Sequence, residues 1–260
     1  MTGSTPTSLH LLSPREIEQF ERDGFVVVRR LADEELCARM RALTQAHVAA
    51  RLDPVEYEAD TRYEGAPVSR VAPGGRTVRR LLQAFARDPL FREWALSDAI
   101  AGRLRQLLGP SIALSQAHHN CVMTKHPAFS SVTGWHQDIR YWSFRRPDLV
   151  SAWLALGPER ADNGGLLLVP GSHRLDLRPE QFDAALFFRT DVAGNREVLA
   201  RQIVAELDAG DVLLFHARLL HAAGNNRTDV TKFAVVFTFH AQDNVPLAGT
   251  RSASVSDVLL

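Results

Sequence analysis

Two cysteines, Cys37 and Cys121, are too few for a disulfide framework and show no zinc-finger spacing; both read as buried thiols in a reducing compartment. There is no surplus of charge of either sign. Thirty Lys and Arg against thirty Asp and Glu leave a formal net charge of zero, so no overall field draws nucleic acid or an anionic membrane to the chain. Apolar runs end after a few residues, far short of the roughly 20 that a bilayer-spanning helix needs. Residues 1–8 carry neither the basic region nor the apolar region of an export signal, and 1–12 reads as a short disordered tail. The expectation is a cytoplasmic protein. No repeat or low-complexity segment interrupts the rest, and residues 13–260 suit one domain with a full core.

What is present falls into two textures. The first, about 13–110, is mainly helical. Ser13, Pro14 and Glu16 combine a capping box with proline at the first helical position, and Gly24 stops that helix. Phe25 to Val28 reads as a short strand, and a second helix starts at Asp33. Residues 53–75 have no clear period and carry Gly65, Pro67, Pro73, Gly74 and Gly75, which predicts a long loop. Helices follow around 88–94 and 98–108, and Gly109-Pro110 ends them.

The second texture, about 111–240, is extended. Runs at 112–125, 135–141, 150–157, 166–169, 212–215 and 231–239 alternate with turn residues, the pattern of a sandwich or barrel. The fold class is therefore mainly β with flanking helices: a jelly roll under an N-terminal helical layer. The last run fixes its own orientation. Phe233, Val235, Phe237 and Phe239 share a face suited to lie under helices, while Lys232, Ala234, Val236, Thr238 and His240 face the other way, into a cavity.

The chemistry centres on His136-Gln137-Asp138. An imidazole and a carboxylate two residues apart on an extended segment point to one side. One more imidazole completes a 2-His-1-carboxylate face with open positions on Fe(II). His221 is a candidate for that third ligand, and the absence of nearby cysteine disfavours zinc or a cluster.

Four features occur in order: His136-x-Asp138; Asn163-Gly164-Gly165 leading to Pro170-Gly171-Ser172-His173; Gly210-Asp211 with Val212 to Phe215; and His221 with Asn225. With the opening Phe20 to Val28, this order resembles the phytanoyl-CoA dioxygenase family of Fe(II)/2-oxoglutarate oxygenases, from about residue 13 to 240. The resemblance implies a cupin-like double-stranded β-helix with His136, Asp138 and His221 as iron ligands. It implies 2-oxoglutarate and O2 as co-substrates, release of succinate and CO2, and hydroxylation of a small organic molecule. Related halogenases carry a small residue where this chain has Asp138, so hydroxylation is favoured over halogenation. One departure stands out: the family's usual arginine, eleven positions after the distal histidine, is here Lys232, which becomes the expected anchor for the far carboxylate, with Arg227 the solvent-facing alternative.

Trp153 is expected to wall the co-substrate pocket, and Lys125 either contacts one of the two acids or is a strand-end surface charge. Of His118 and His119, alternation turns one inward. Trp135 and Arg140 are candidate substrate contacts, Arg140 because it shares the face of Asp138 if the strand continues. Arg145 and Arg146 read as solvated, and His173 and His216 as structural. Segments 53–75 and 174–199 are expected to cover the mouth. Aromatic walls with one or two guanidiniums suit an anionic, partly apolar small molecule. Two other readings stay open: a cupin-like metal enzyme that does not use 2-oxoglutarate, and a catalytically silent binding module on the same barrel.

Overall fold

The computed structural model describes residues 11–61 and 63–260; the tail expected at 1–12 lies largely outside them. Helix α1 (Pro14–Asp23) begins where Ser13 Oγ accepts the Glu16 amide and the Glu16 carboxylate accepts the Ser13 amide. It ends at Gly24, whose φ of +82° suits a residue without a Cβ. Strand β1 (Phe25–Val28) leads to α2 (Glu34–Ala50), capped by Asp33. The segment expected as a long loop contains β2 (Val55–Tyr57) and a short turn of 3-10 helix, Glu58–Asp60. Strand β3 (Val78–Leu82), which pairs with β2, also went unseen, because Arg79-Arg80 breaks the apolar alternation on which a strand prediction depends.

Helices α3 (Ala84–Arg87), α4 (Pro89–Ala95) and α5 (Asp98–Leu108) complete the layer. The strands that follow are β4 (Ile112–Lys125), β5 (Thr133–His136), β6 (Leu149–Ala155) and β7 (Leu166–Leu168). After α6 (Ala193–Leu199) come β8 (Ile203–Val204), β9 (Val212–His216), β10 (His221–Ala223), β11 (Lys232–Ala241) and β12 (Val258–Leu259). One sheet has the order β1-β9-β6-β11-β4-β3-β2, with β12 added to β4, and a four-stranded sheet has the order β5-β10-β7-β8. The pairing is antiparallel throughout.

Two cores follow from strand alternation. Phe233, Val235, Phe237 and Phe239 of β11 pack with Phe91, Trp94, Ile100 and Leu104 of the helices. Ala234 and Val236 face the other way, with Leu213 and Phe215 of β9 and Leu166 and Leu168 of β7, between the sheets. The helical layer thus seals one face of the large sheet and leaves the inner face to form a site. Register in the long β4–β11 ladder jumps between Asn120↔Phe237 and Ser115↔Thr238, so residues 116–119 bulge out of β4 with no partner on β11. Among the described residues no helix is long and apolar enough to cross a membrane.

Candidate metal centre

His136 ends β5, His221 begins β10, and the two are Cα partners across the ladder. Gln137 is still extended, with φ −117° and ψ 126°, so Asp138 returns to the side of His136. There the extension stops: Asp138–Tyr141 is a turn of 3-10 helix rather than the strand expected to 141. Among the described residues these are the only three His, Cys, Asp or Glu side chains grouped to hold a metal, with ligand atoms within 4.8 Å of one another.

Hydrogen bonds set the direction of each donor. His136 Nδ1 donates to the Gly134 carbonyl at 2.8 Å, and His221 Nδ1 donates to the Leu219 carbonyl at 3.0 Å. Each imidazole is thereby held with the Nε2 lone pair free. Those Nε2 atoms lie 3.5 Å and 3.7 Å from Asp138 Oδ1. Asp138 is buried, and its Oδ2 has no hydrogen-bond partner. An orphaned carboxylate oxygen inside a protein is costly unless a cation or donor meets it, so this donor set fits a divalent metal. Burial pushes His221 down to about 4, with His136 adding to the effect. Burial works against ionised Asp138, yet His119, His221 and His136 outweigh it and hold the carboxyl well below its usual range.

Beside the triad is a cavity whose lining includes His136, His221, Trp153, Lys125 and Lys232. Lys125 is buried rather than a surface charge, and its Nζ donates to the Ser131 carbonyl at 2.6 Å. Lys232 points inward as its strand position required, but its ammonium is already paired with Glu159 Oε2 at 2.8 Å. Glu159 Oε1 accepts the Trp153 indole N–H, also at 2.8 Å. Arg79 and Arg80 line the cavity too, held by Glu56 and Glu58. These arginines and Glu159 escaped the sequence reading. Gly157-Pro158-Glu159 looks like an ordinary loop, and nothing local marks its carboxylate as buried.

Alternation along β4 decides between the two adjacent histidines: Lys125 and Met123 line the cavity, and counting back by twos reaches His119, not His118. His119 reaches the site, with Nδ1 3.6 Å from Asp138 Oδ2 and 3.3 Å from Ser151 Oγ. His118 does not line the cavity: its Nε2 hydrogen-bonds Ser252 Oγ at 2.7 Å and its ring stacks on Trp142.

Two expectations fail. Because residues 138–141 coil, Arg140 leaves the face of Asp138; its guanidinium lies 3.3 Å from the ring centroid of Phe182 and donates to the Leu177 carbonyl. Trp135 alternates away from His136 and packs with Val169, Phe182, Phe188 and Leu220. The covering segments do meet at the site: Phe187 lies edge-on to His136 with centroids 6.1 Å apart, and Tyr63 lies edge-on to Phe187 at 5.5 Å. His173 donates to the Glu21 carbonyl and closes the α1–β1 corner, while His216 Nδ1 accepts the Arg218 amide. Arg145, Arg146 and Arg227 are exposed, and both cysteines are free and buried.

The family model for phytanoyl-CoA dioxygenase (PhyH) matches residues 20–234. A probable phytanoyl-CoA dioxygenase of Caenorhabditis elegans is 23% identical over 260 residues, covering 96% of this chain and 83% of the relative. An ectoine dioxygenase of Streptomyces avermitilis is 26% identical, covering 92% and 82%. Among solved structures, EctD from S. alaskensis with 2-oxoglutarate and 5-hydroxyectoine superposes with a TM-score of 0.77 at 21% identity, covering 95% of this chain and 81% of that one. The non-heme alpha-ketoglutarate-dependent carbocyclase SnoK from nogalamycin biosynthesis gives 0.70 at 20% identity, covering 99% and 100%. With the jelly roll and the His-Asp-His cluster, these matches establish that the chain belongs to the phytanoyl-CoA dioxygenase (PhyH) family and is an iron- and 2-oxoglutarate-dependent dioxygenase.

Proposed function

We propose that His136, Asp138 and His221 hold Fe(II) and that the protein hydroxylates an anionic, partly apolar small molecule in the cytoplasm. The observation that carries the ligand assignment is the pair of imidazoles with tethered Nδ1 atoms around a buried carboxylate oxygen that has no partner. Iron bound there supplies the centre at which 2-oxoglutarate and O2 react, with succinate and CO2 released. The protein's own part is placement. Gly134 and Leu219 carbonyls keep Nε2 of both histidines directed at the metal position. The cationic end of the cavity, where Lys125 lies beside the Lys232–Glu159 pair, receives the distal carboxylate of the co-substrate, and Trp153 forms a wall beside it.

On the other flank His119 faces Asp138, with Trp142 edge-on behind it. Tyr141 and Phe187 both lie edge-on to His136. Substrate enters this aromatic surround, and Arg80, which lines the cavity, replaces Arg140 as the cation that receives its anionic group. The Tyr63–Phe187 contact keeps water from the reacting centre. Two buried free thiols support a reducing compartment.

Anaerobic titration of the Fe(II) protein with 2-oxoglutarate tests the assignment through the weak visible band of an oxo acid chelated to iron. It is expected in wild type and absent in Asp138→Ala and His221→Ala. A band of wild-type strength in both variants would move the iron elsewhere.

A further inference from the structure

The cavity lining carries one cation more than the acids paired with it can match. Arg79 pairs with Glu56 and Glu58 at 3.4 Å, Arg80 lies 3.5 Å from Glu56, and Lys232 is bound by Glu159 at 2.8 Å. Four cations thus face three carboxylates. Among the described residues that line the cavity, Lys125 is the cation without a carboxylate partner; its Nζ has only the Ser131 carbonyl. Lys125 and Lys232 are Cα partners in the β4–β11 ladder, so their side chains leave the same face of the sheet side by side. An acid entering this end meets both ammonium groups, but one has its charge cancelled by Glu159.

We propose, resting on the use of 2-oxoglutarate set out above, that Lys125 rather than Lys232 receives the distal carboxylate, and that Glu159 decides this by neutralising Lys232. Glu159 is well placed to hold that role. Its carboxylate is fully buried with both oxygens engaged, one by Lys232 and one by the Trp153 indole. Its backbone is fixed by reciprocal hydrogen bonds with Leu207. Rotating it away from Lys232 would strand a buried carboxylate, so the pair persists when the cavity fills.

Lys125 has the opposite character. Burial pushes its ammonium down to about 7, helped by Arg79 and Lys232 and opposed by Glu58. An arriving carboxylate reverses that balance, so binding draws a proton onto Lys125 at mildly alkaline pH. The Lys232–Glu159 pair has no such demand. Specificity for a dicarboxylate therefore resides on β4, in a residue whose stem is pressed against Gly164, where a Cβ would approach Lys125 Cγ and Cδ within 3.4 Å.

The test is calorimetric binding of 2-oxoglutarate and of the monocarboxylate 2-oxobutyrate to the Mn(II)-loaded full chain, which needs no turnover. Lys125→Met should weaken 2-oxoglutarate by roughly 10- to 100-fold, as expected for loss of a charge-assisted contact, and leave 2-oxobutyrate unchanged. The paired variant Lys232→Met with Glu159→Gln removes one cation and one anion together and should stay within about threefold of wild type. Glu159→Gln alone should tighten 2-oxoglutarate. In two buffers of different ionisation enthalpy at pH 8, wild type should take up a proton on binding and Lys125→Met should not.

If wild type binds 2-oxoglutarate and the paired variant loses as much affinity as Lys125→Met, or Lys125→Met loses none, the assignment to Lys125 is wrong. If wild type binds neither oxo acid, the co-substrate reading falls and takes this inference with it. Unchanged Mn(II) affinity and melting temperature separate these results from misfolding.

Discussion

His136 and His221 face each other across the β5–β10 ladder with ring centroids 4.1 Å apart, and each ties its Nδ1 to the carbonyl two residues before it. The same i to i−2 hydrogen bond on both strands fixes both tautomers before any metal arrives. Only the carboxylate between them lacks a partner for one of its oxygens.

That asymmetry predicts the behaviour of Asp138→Ala. Removing the carboxylate relieves a buried unsatisfied oxygen, so the metal-free variant should melt at or above the wild-type temperature. Metal affinity should fall by at least roughly 100-fold, beyond what loss of an outer-shell partner costs. Succinate formation should cease. Thermal melts with and without Fe(II), alongside a succinate assay, decide it; a metal-induced shift as large as that of wild type would remove Asp138 from the ligand set.

His173 gives the fold a pH dependence away from the metal. Burial, with His216 next, pushes its imidazole down to about 4 from an ordinary 6.5. The unfolded chain takes its proton near pH 6.5 and the folded chain refuses it until about 4, so this contribution to stability is complete above 6.5 and is lost as pH falls between those values. His173→Gln should reduce the stability lost between pH 7 and pH 4.5 by about 2 kcal/mol, read from urea midpoints. Equal losses in the two proteins would contradict this.

Arg140 holds the segment that brings Phe187 to the site, through the Phe182 ring and the Leu177 carbonyl. Arg140→Ala should leave metal affinity unchanged and weaken local protection across 177–188 by about 1–2 kcal/mol in hydrogen exchange. A loss of metal affinity in place of faster exchange would return Arg140 to the site.

Gly164 has a φ of +76°, and a Cβ there would lie 2.8 Å from the Gly224 carbonyl oxygen and 3.3 Å from Lys125 Cδ. Gly164→Ala should cost more than about 1 kcal/mol of stability, since backbone strain and the contact with fixed backbone act together. It should also weaken 2-oxoglutarate binding by shifting Lys125. Chemical denaturation and calorimetry on the same preparation test both, and wild-type values in each would show that the turn accommodates the methyl group.

What the sequence determined by itself was local and periodic. The capping box at Ser13, the stop at Gly24, the two faces of β11 and the shared side of His136 and Asp138 all follow from spacings of two to four residues, which the backbone converts directly into direction. Motif order carried the family and the third member of the His-Asp-His cluster, because His221 lies far along the chain from His136.

The tertiary structure decided what spacing cannot. The pairing of Lys125 with Lys232 set which face of β4 looks inward, and with it His119 rather than His118, while the coil at Asp138–Tyr141 carried Arg140 off the face that a continued strand would have kept. Lys232 and Glu159 are 73 residues apart and meet only because β11 passes the end of β6, where the chain turns into the Gly157-Pro158-Glu159 loop. No local pattern encodes a buried ion pair closed over that separation, since its energy depends on the low dielectric and fixed geometry that exist once the sheets have packed.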